Sequence, residues 1–508
     1  MKRWAWLLAA ALLAMPAAAD DKKKDEKKGK ETSAGQAAPA QDAVKEAEAK
    51  LAAGDADGAI GVLEKGLGGL GPAAGEAGLR LGRLRESRGE LDLAVDAYKA
   101  AAGKLSGAAK GEALGRMAVA QDTRGMADAA ATAEAAAAAD PEGVWPAIAL
   151  SYRRAHEGKP DEGVALAQKA LAAGGGAGAQ SALGHALEAK GEMAGSEAAY
   201  RAAVAADASA LAPVIGLATV LRKTGRAGEA EPLLKKVIDT SPGAVEAYKE
   251  MARVKMALGR AQEALGDASI AAAMSENDAD AQRMVVEVKV ARALQALGQG
   301  QTDLAVQDLT QLRDQNPESA DVRLGLARAQ IARRDGDGAL AELAKAMELD
   351  PKNAEVQYQL GWVNLVMKAK PAAAVPPLEK AAALDPGNAA YRTTLGAALN
   401  GIQSFDRAID ELSKVTATAG FDKPEGFLYL GQAYVGAKKY KDAVAALEKA
   451  TTLAPNNDQA WAFLGWAYFG LKDAANFTRA AGKARSLGYK EATLLQYLKR
   501  VEGGEAIK

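Results

Sequence analysis

The chain has 508 residues, 49% of them hydrophobic but only 5% aromatic. That length exceeds one ordinary globular core, and an Ala-rich chain poor in β-branched residues favours close-packed helices. Its 64 basic and 65 acidic residues give a formal net charge of −1, which offers no basic face for nucleic acid; the absence of Cys excludes disulfides, thiolate metal sites and Cys nucleophiles.

Residues 1–19 read as an export signal. Met1-Lys2-Arg3 is a short positive stretch, Trp4 to Met15 is apolar, and Pro16-Ala17-Ala18-Ala19 offers a cleavage site, with the cut expected after Ala19. The apolar run is shorter than the roughly 20 residues of a membrane span, so the cleaved product is expected to have none. No Cys follows it to carry a lipid. Residues 20–39, DDKKKDEKKGKETSAGQAAP, are charged and lack aromatics and apolar periodicity. They are expected to form a disordered, solvated linker.

From Ala40 onward a pattern recurs about every 34 residues. Thirteen starts fall near Ala40, Gly75, Lys110, Val144, Ala177, Leu211, Val245, Val286, Ala320, Ala354, Ala389, Pro424 and Asp458. The clearest unit is PEGFLYLGQAYVGAKKYKDAVAALEKATTLAPNN, from Pro424 to Asn457. With Pro424 as position 1, Phe427, Leu430, Gly431 and Tyr434 share one face of a first helix. Tyr440, Ala443, Leu447 and Ala450 form the apolar stripe of a second helix, which Pro455 ends. Leu81-Gly82, Leu183-Gly184, Leu360-Gly361 and Leu395-Gly396 repeat the Leu-Gly pair, and Pro141, Pro242, Pro317, Pro351 and Pro386 repeat the stop.

These residues resemble the tetratricopeptide repeat (TPR) family over residues 40 to about 487. The resemblance implies an all-α, right-handed superhelix of about 13 helix-turn-helix repeats, with Tyr489 to Arg500 as a capping helix. One step departs from the period. Val245 to Val286 is a longer interval, read as a lengthened first helix and a break between two blocks. The expected organisation is a signal peptide (1–19), a charged linker (20–39), an N-terminal block (40–279), a C-terminal block (280–488) and a capping helix with tail (489–508). The glycines of the N-terminal repeats, such as Gly66, Gly68, Gly69 and Gly71, are expected to loosen them.

No catalytic set is visible, and no cofactor is expected. The only His residues, His156 and His185, are expected to be neighbours on the concave surface but lack matched carboxylates for a metal. GGLG and GGGAG neither follow strands nor precede Lys-Ser/Thr, so they are not phosphate loops. In the family, positions 2, 5, 9, 12 and 13 of each first helix line a concave groove. By register this assigns Trp145, Ile148, Tyr152 and His156; Tyr358, Trp362 and Leu365; Leu428, Gln432 and Val435; and Ala462, Trp466 and Phe469. Large aromatics at such positions are not demanded by the repeat, and 17 of the 24 Phe, Trp and Tyr residues lie at or after Tyr358, so the binding surface is expected toward the C-terminus. The family's carboxylate clamp needs Lys at position 5 and Asn at position 9. Lys249 is matched with Arg253, so that function is not expected.

The resulting expectation is a non-enzymatic scaffold of a bacterial envelope complex, resembling components of gliding-motility, type IV pilus or polysaccharide-export machinery. Its partners are expected to be segments or domains of other envelope proteins, and its location the periplasm, with secretion as the alternative. The competing reading is a glycan- or peptidoglycan-binding module whose groove aromatics stack on sugars.

Overall fold

The computed structural model describes residues 40–207, 210–276 and 278–507. The expected signal peptide and charged linker lie outside them. Among the described residues the chain forms 27 α-helices and no strand. Twenty-six of these pair consecutively into thirteen hairpins, and Ala492–Glu502 follows as a single terminal helix. Each helix packs on its predecessor and successor, and first helices of successive repeats also touch. The interior is therefore a chain of small cores rather than one large one.

The Leu-Gly motif explains how each hairpin closes. Gly82 faces Tyr98, Gly184 faces Tyr200, Gly361 faces Leu378, Gly396 faces Leu412 and Gly431 faces Leu447. A Cβ at any of these glycines would fall 2.3 to 2.9 Å from that side chain. The glycine is thus a socket for the large residue of the second helix. Some glycines of the N-terminal repeats act in the same way, Gly66 among those expected to loosen the packing, whereas a Cβ at Gly71 would meet nothing within 4 Å. A Cβ on Gly66 would lie 2.8 Å from the Ala43 Cβ, one on Gly78 2.6 Å from Leu67 Cδ1, and one on Gly115 2.7 Å from the Trp145 backbone.

Four first helices begin earlier than the repeat register indicates, at Gly71, Gly107, Gly176 and Ala279. The last of these is the lengthened helix, Ala279–Gly298, which gains its extra turns at the N-terminal end. Asp278 caps it, accepting hydrogen bonds from the Asp280 and Ala281 amides. Packing runs through this junction, since Ala252, Ala264, Ala268, Met284 and Val288 share one core.

The repeat from Ala354 carries another irregularity. After Ala354–Trp362 the helix continues as a π-turn at Val363–Met367. The π-turn inserts one residue, which accounts for the slightly long interval to Ala389. Beyond it, Leu365 falls at the packing position that Tyr434 holds in its own repeat, and both border the same core. Val366 moves to the groove-facing position and is 56% exposed.

Candidate functional site: the concave face

The first helices line the concave face, and most of their position-5 residues do not reach it, half-buried Tyr358 being an exception. Ile148, Leu428 and Ala462 are buried, as are Leu79 and Leu324. They point between adjacent first helices, so the groove is built mainly from positions 2, 9 and 12. Position 13 is also enclosed in the C-terminal repeats. A Cβ on Gly436 or Gly470 would lie 2.4 Å from Phe405 or Tyr440, each at the start of the preceding second helix.

In the N-terminal half the face carries a ladder of ion pairs between neighbouring repeats. Arg83 meets Glu112, and Arg116 reaches Glu86 at 3.1 Å. Lys223 reaches Glu188 at 2.7 Å, Arg222 reaches Glu250 at 2.7 Å and Arg253 reaches Asp280 at 3.1 Å. Composition alone concealed this ladder, because its members are scattered one or two per repeat. The signal was present only in their common register. Trp145 lies beneath the ladder, with the Arg116 guanidinium 3.7 Å above its ring and Gly178 giving it room below.

The two histidines do meet. His156 and His185 lie edge to face with ring centroids 4.8 Å apart, and His185 stacks on Tyr152 at 4.8 Å. His156 Nδ1 approaches Asp122 Oδ2 to 2.6 Å. That hydrogen bond raises the His156 pKa, against the opposing effect of burial. Burial, with help from His156, lowers the His185 pKa to about 4. The Nε2 of His185 is shielded from solvent and has no hydrogen-bond partner among the described residues. Burial raises the Tyr152 phenol to about 12; its hydroxyl pairs with Ser181 Oγ at 3.0 Å. At neutral pH the cluster therefore pairs a neutral His185 with a His156 held toward its charged form.

In the C-terminal half the groove is apolar. Tyr358 stacks on Tyr391 at 4.8 Å, and Tyr391 donates to Glu355 at 3.0 Å. Trp362 is half-buried against the core that includes Leu324, Leu343 and Val356, next to exposed Val366. Gln432 joins Asn400, whose side-chain amide lies 3.4 Å from it, and Val435 borders the last core. Trp466 and Phe469 are half-buried beneath the terminal helix, with the Tyr497 ring 5.9 and 4.7 Å away. The terminal helix thus occupies that end of the groove. Lys249, the one residue matching half of a carboxylate clamp, is 3% exposed and engaged by Glu246, Asp278 and Asp280. Burial opposes its charge, but the three carboxylates together raise its pKa.

Paired helices stacked into a solenoid with a side-chain-lined inner face define a repeat protein of the interaction-scaffold type. Three tetratricopeptide-repeat profiles match the chain, one over residues 44–109, one over 221–284 and 296–363, and one over 424–457. The chain belongs to the tetratricopeptide repeat proteins. No curated protein matches it. Solved structures similar to parts of it include YrrB, a TPR protein with an unusual peptide-binding site, at 21% identity and a TM-score of 0.33 over 38% of this chain and 97% of that one. PilW, a type IV pilus biogenesis factor, matches at 17% identity and a TM-score of 0.37, covering 42% of this chain and 98% of that one. The Cut9–Hcn1 hetero-tetramer matches at 13% identity and a TM-score of 0.39, covering 90% of this chain and 95% of that one. No helix among the described residues is long and apolar enough to cross a membrane.

Proposed function

We propose that this chain is a non-enzymatic scaffold, exported to the periplasm, that holds segments of partner proteins along its groove within an envelope assembly of the motility, pilus or polysaccharide-export kind. The groove residues proposed to grip the partner are Tyr358, Trp362, Gln432 and Val435, with Val366 in place of Leu365; Trp145 and Tyr152, covered by Arg116 and His185, and Trp466 and Phe469, under the terminal helix, are proposed to support the groove at its two ends. The observation that carries the reading is the apolar surface at Tyr358, Trp362 and Val366. Repeat packing alone leaves no reason for an exposed Val beside a half-buried Trp, whereas a docked peptide covers both. Export is supported by the pattern of residues 1–19.

The test is in-cell crosslinking from a photo-reactive residue at Val366, with Lys449 on the outer surface as control. Capture of an exported protein at Val366 and not at Lys449, reduced by Trp362→Ala, is the expected result. Capture of glycan alone favours the sugar-binding reading. That reading has fewer free ring faces to use, since Arg116 covers Trp145 and Tyr497 lies against Trp466.

A further inference from the structure

The N-terminal half of the solenoid curves back until distant repeats touch. The turn after the helix Gly71–Ser87 meets the loop that precedes Val245–Ala257. Ser241 Oγ donates to the Ser87 carbonyl at 3.3 Å. Gly89, at φ 77°, comes so close that a Cβ there would lie 2.5 Å from Ala244 Cα. Beside this contact Arg124, its side chain 7% exposed, spans the junction. Its Nε and one terminal nitrogen hold both oxygens of Asp92 at 3.0 and 3.1 Å. The other terminal nitrogen reaches Glu246 at 3.2 Å and Asp278 at 2.5 Å. Lys249 meets Asp278 from the far side at 3.1 Å.

We propose that this junction is a releasable seam, and that Arg124 is the latch that closes the second and third repeats onto the seventh and eighth as a ring, on an acidic rim that Lys249 holds together. Three features support release rather than permanent closure. The contacts are polar, and a buried ion pair gains little net stability because desolvation offsets the attraction, while it specifies geometry strongly. The seam is also incompletely filled. A cleft of about 280 Å³ runs through it, and Leu93 and Met274 on its walls are 48% and 42% exposed. Finally, among the described residues the extensive helix–helix contacts are all within a repeat or between adjacent repeats, so the ring can open without unpacking a hairpin.

The charge balance makes the latch depend on Arg124. Asp92, Glu246, Asp278 and Asp280 converge on Arg124, Lys249 and Arg253. Neutralising Arg124 leaves half-exposed Asp92 of one rim facing buried Asp278 and part-buried Glu246 of the other with no cation between them, and their repulsion drives the rims apart. Asp278 strengthens the coupling, because the same carboxylate caps Ala279–Gly298 with its other oxygen. The inference concerns the ring itself and holds whatever the groove binds.

The absence of native Cys makes the test direct. Leu93→Cys and Met274→Cys place two spin labels on opposite walls of the cleft, and electron–electron dipolar spectroscopy of the full chain reads their separation. The parent is expected to give one narrow short-distance population. Arg124→Ala is expected to lose it to a broad, longer distribution while helical circular dichroism is retained. Arg124→Gln, which keeps much of the side-chain volume, repeats the measurement should the Ala variant lose helical signal. Long distances in the parent would show that the ring is open in solution and overturn the proposal. So would a narrow short population that survives both neutral substitutions at Arg124.

Discussion

At the scale of single residues, the socket glycines offer the sharpest test of the packing. Gly431 and Gly465 occupy the same position in successive repeats, but Leu447 fills the space opposite the first and Ala481 the space opposite the second. A Cβ at 431 falls 2.3 Å from Leu447 Cγ, whereas one at 465 finds its nearest neighbour at an ordinary 3.4 Å. Gly431→Ala is expected to destabilise by about 1–3 kcal/mol through overpacking. Gly465→Ala is expected to stabilise by about 0.5–1 kcal/mol, because Ala suits a helix interior better than Gly. Chemical denaturation of the two variants checks both signs. The histidine cluster gives a second residue-scale test. His185 has a folded pKa near 4 and an unfolded value near 6.5. The unfolded chain therefore takes up its proton first as pH falls, and stability is lost between those values. His185→Gln is expected to lose less stability than the parent between pH 6.5 and 4. An identical pH profile for both chains would contradict the assigned burial.

At the scale of the element, the hairpin turn separates the two halves of the chain. The left-handed position is glycine at Gly158, Gly191, Gly225 and Gly259, but Arg334, Ala369, Gln403, Lys438 and Lys472 further on. An L side chain in that conformation costs about 1–2 kcal/mol. Ala369, at φ 51°, follows the π-turn and is exposed, so it contributes little packing in return. Ala369→Gly is expected to raise stability by about 1 kcal/mol, read as a shift in the denaturation midpoint at constant slope. The π-turn has a different consequence. By inserting one residue it turns Val366 toward the groove and Leu365 toward the neighbouring core, with no change in the composition of the helix.

At the scale of the whole molecule, the two halves cohere by different means. The N-terminal half has a seam that ties repeats more than a hundred residues apart, through Arg124, Glu246 and Asp278. The repeats after Ala320 rest on neighbour contacts and large buried side chains such as Leu343, Leu378, Leu399 and Phe477. A fragment of residues 320–508 carries those contacts complete with its terminal helix, whose Leu494 and Leu498 are fully buried. It is expected to fold alone with a cooperative melt. Loss of helical circular dichroism in that fragment would show that its stability comes from the N-terminal half.

The sequence by itself determined the repeat and its count, because a hairpin's packing is local and imprints its positions every 34 residues or so. It determined the Leu-Gly sockets, the prolines that end second helices, the lengthened helix and the meeting of His156 with His185, since register alone places positions 13 and 9 of adjacent repeats together. Only the tertiary structure decided the course of the groove. In most repeats position 5 is buried because neighbouring first helices approach closely on small residues, and the π-turn exchanged the roles of Leu365 and Val366 through backbone hydrogen bonding that no side-chain pattern marks. Only the tertiary structure placed Tyr497 beside Trp466 and Phe469. It alone brought Arg124 to Asp278, because the curvature that joins them is a sum of small rotations over several repeats. No single repeat records that sum.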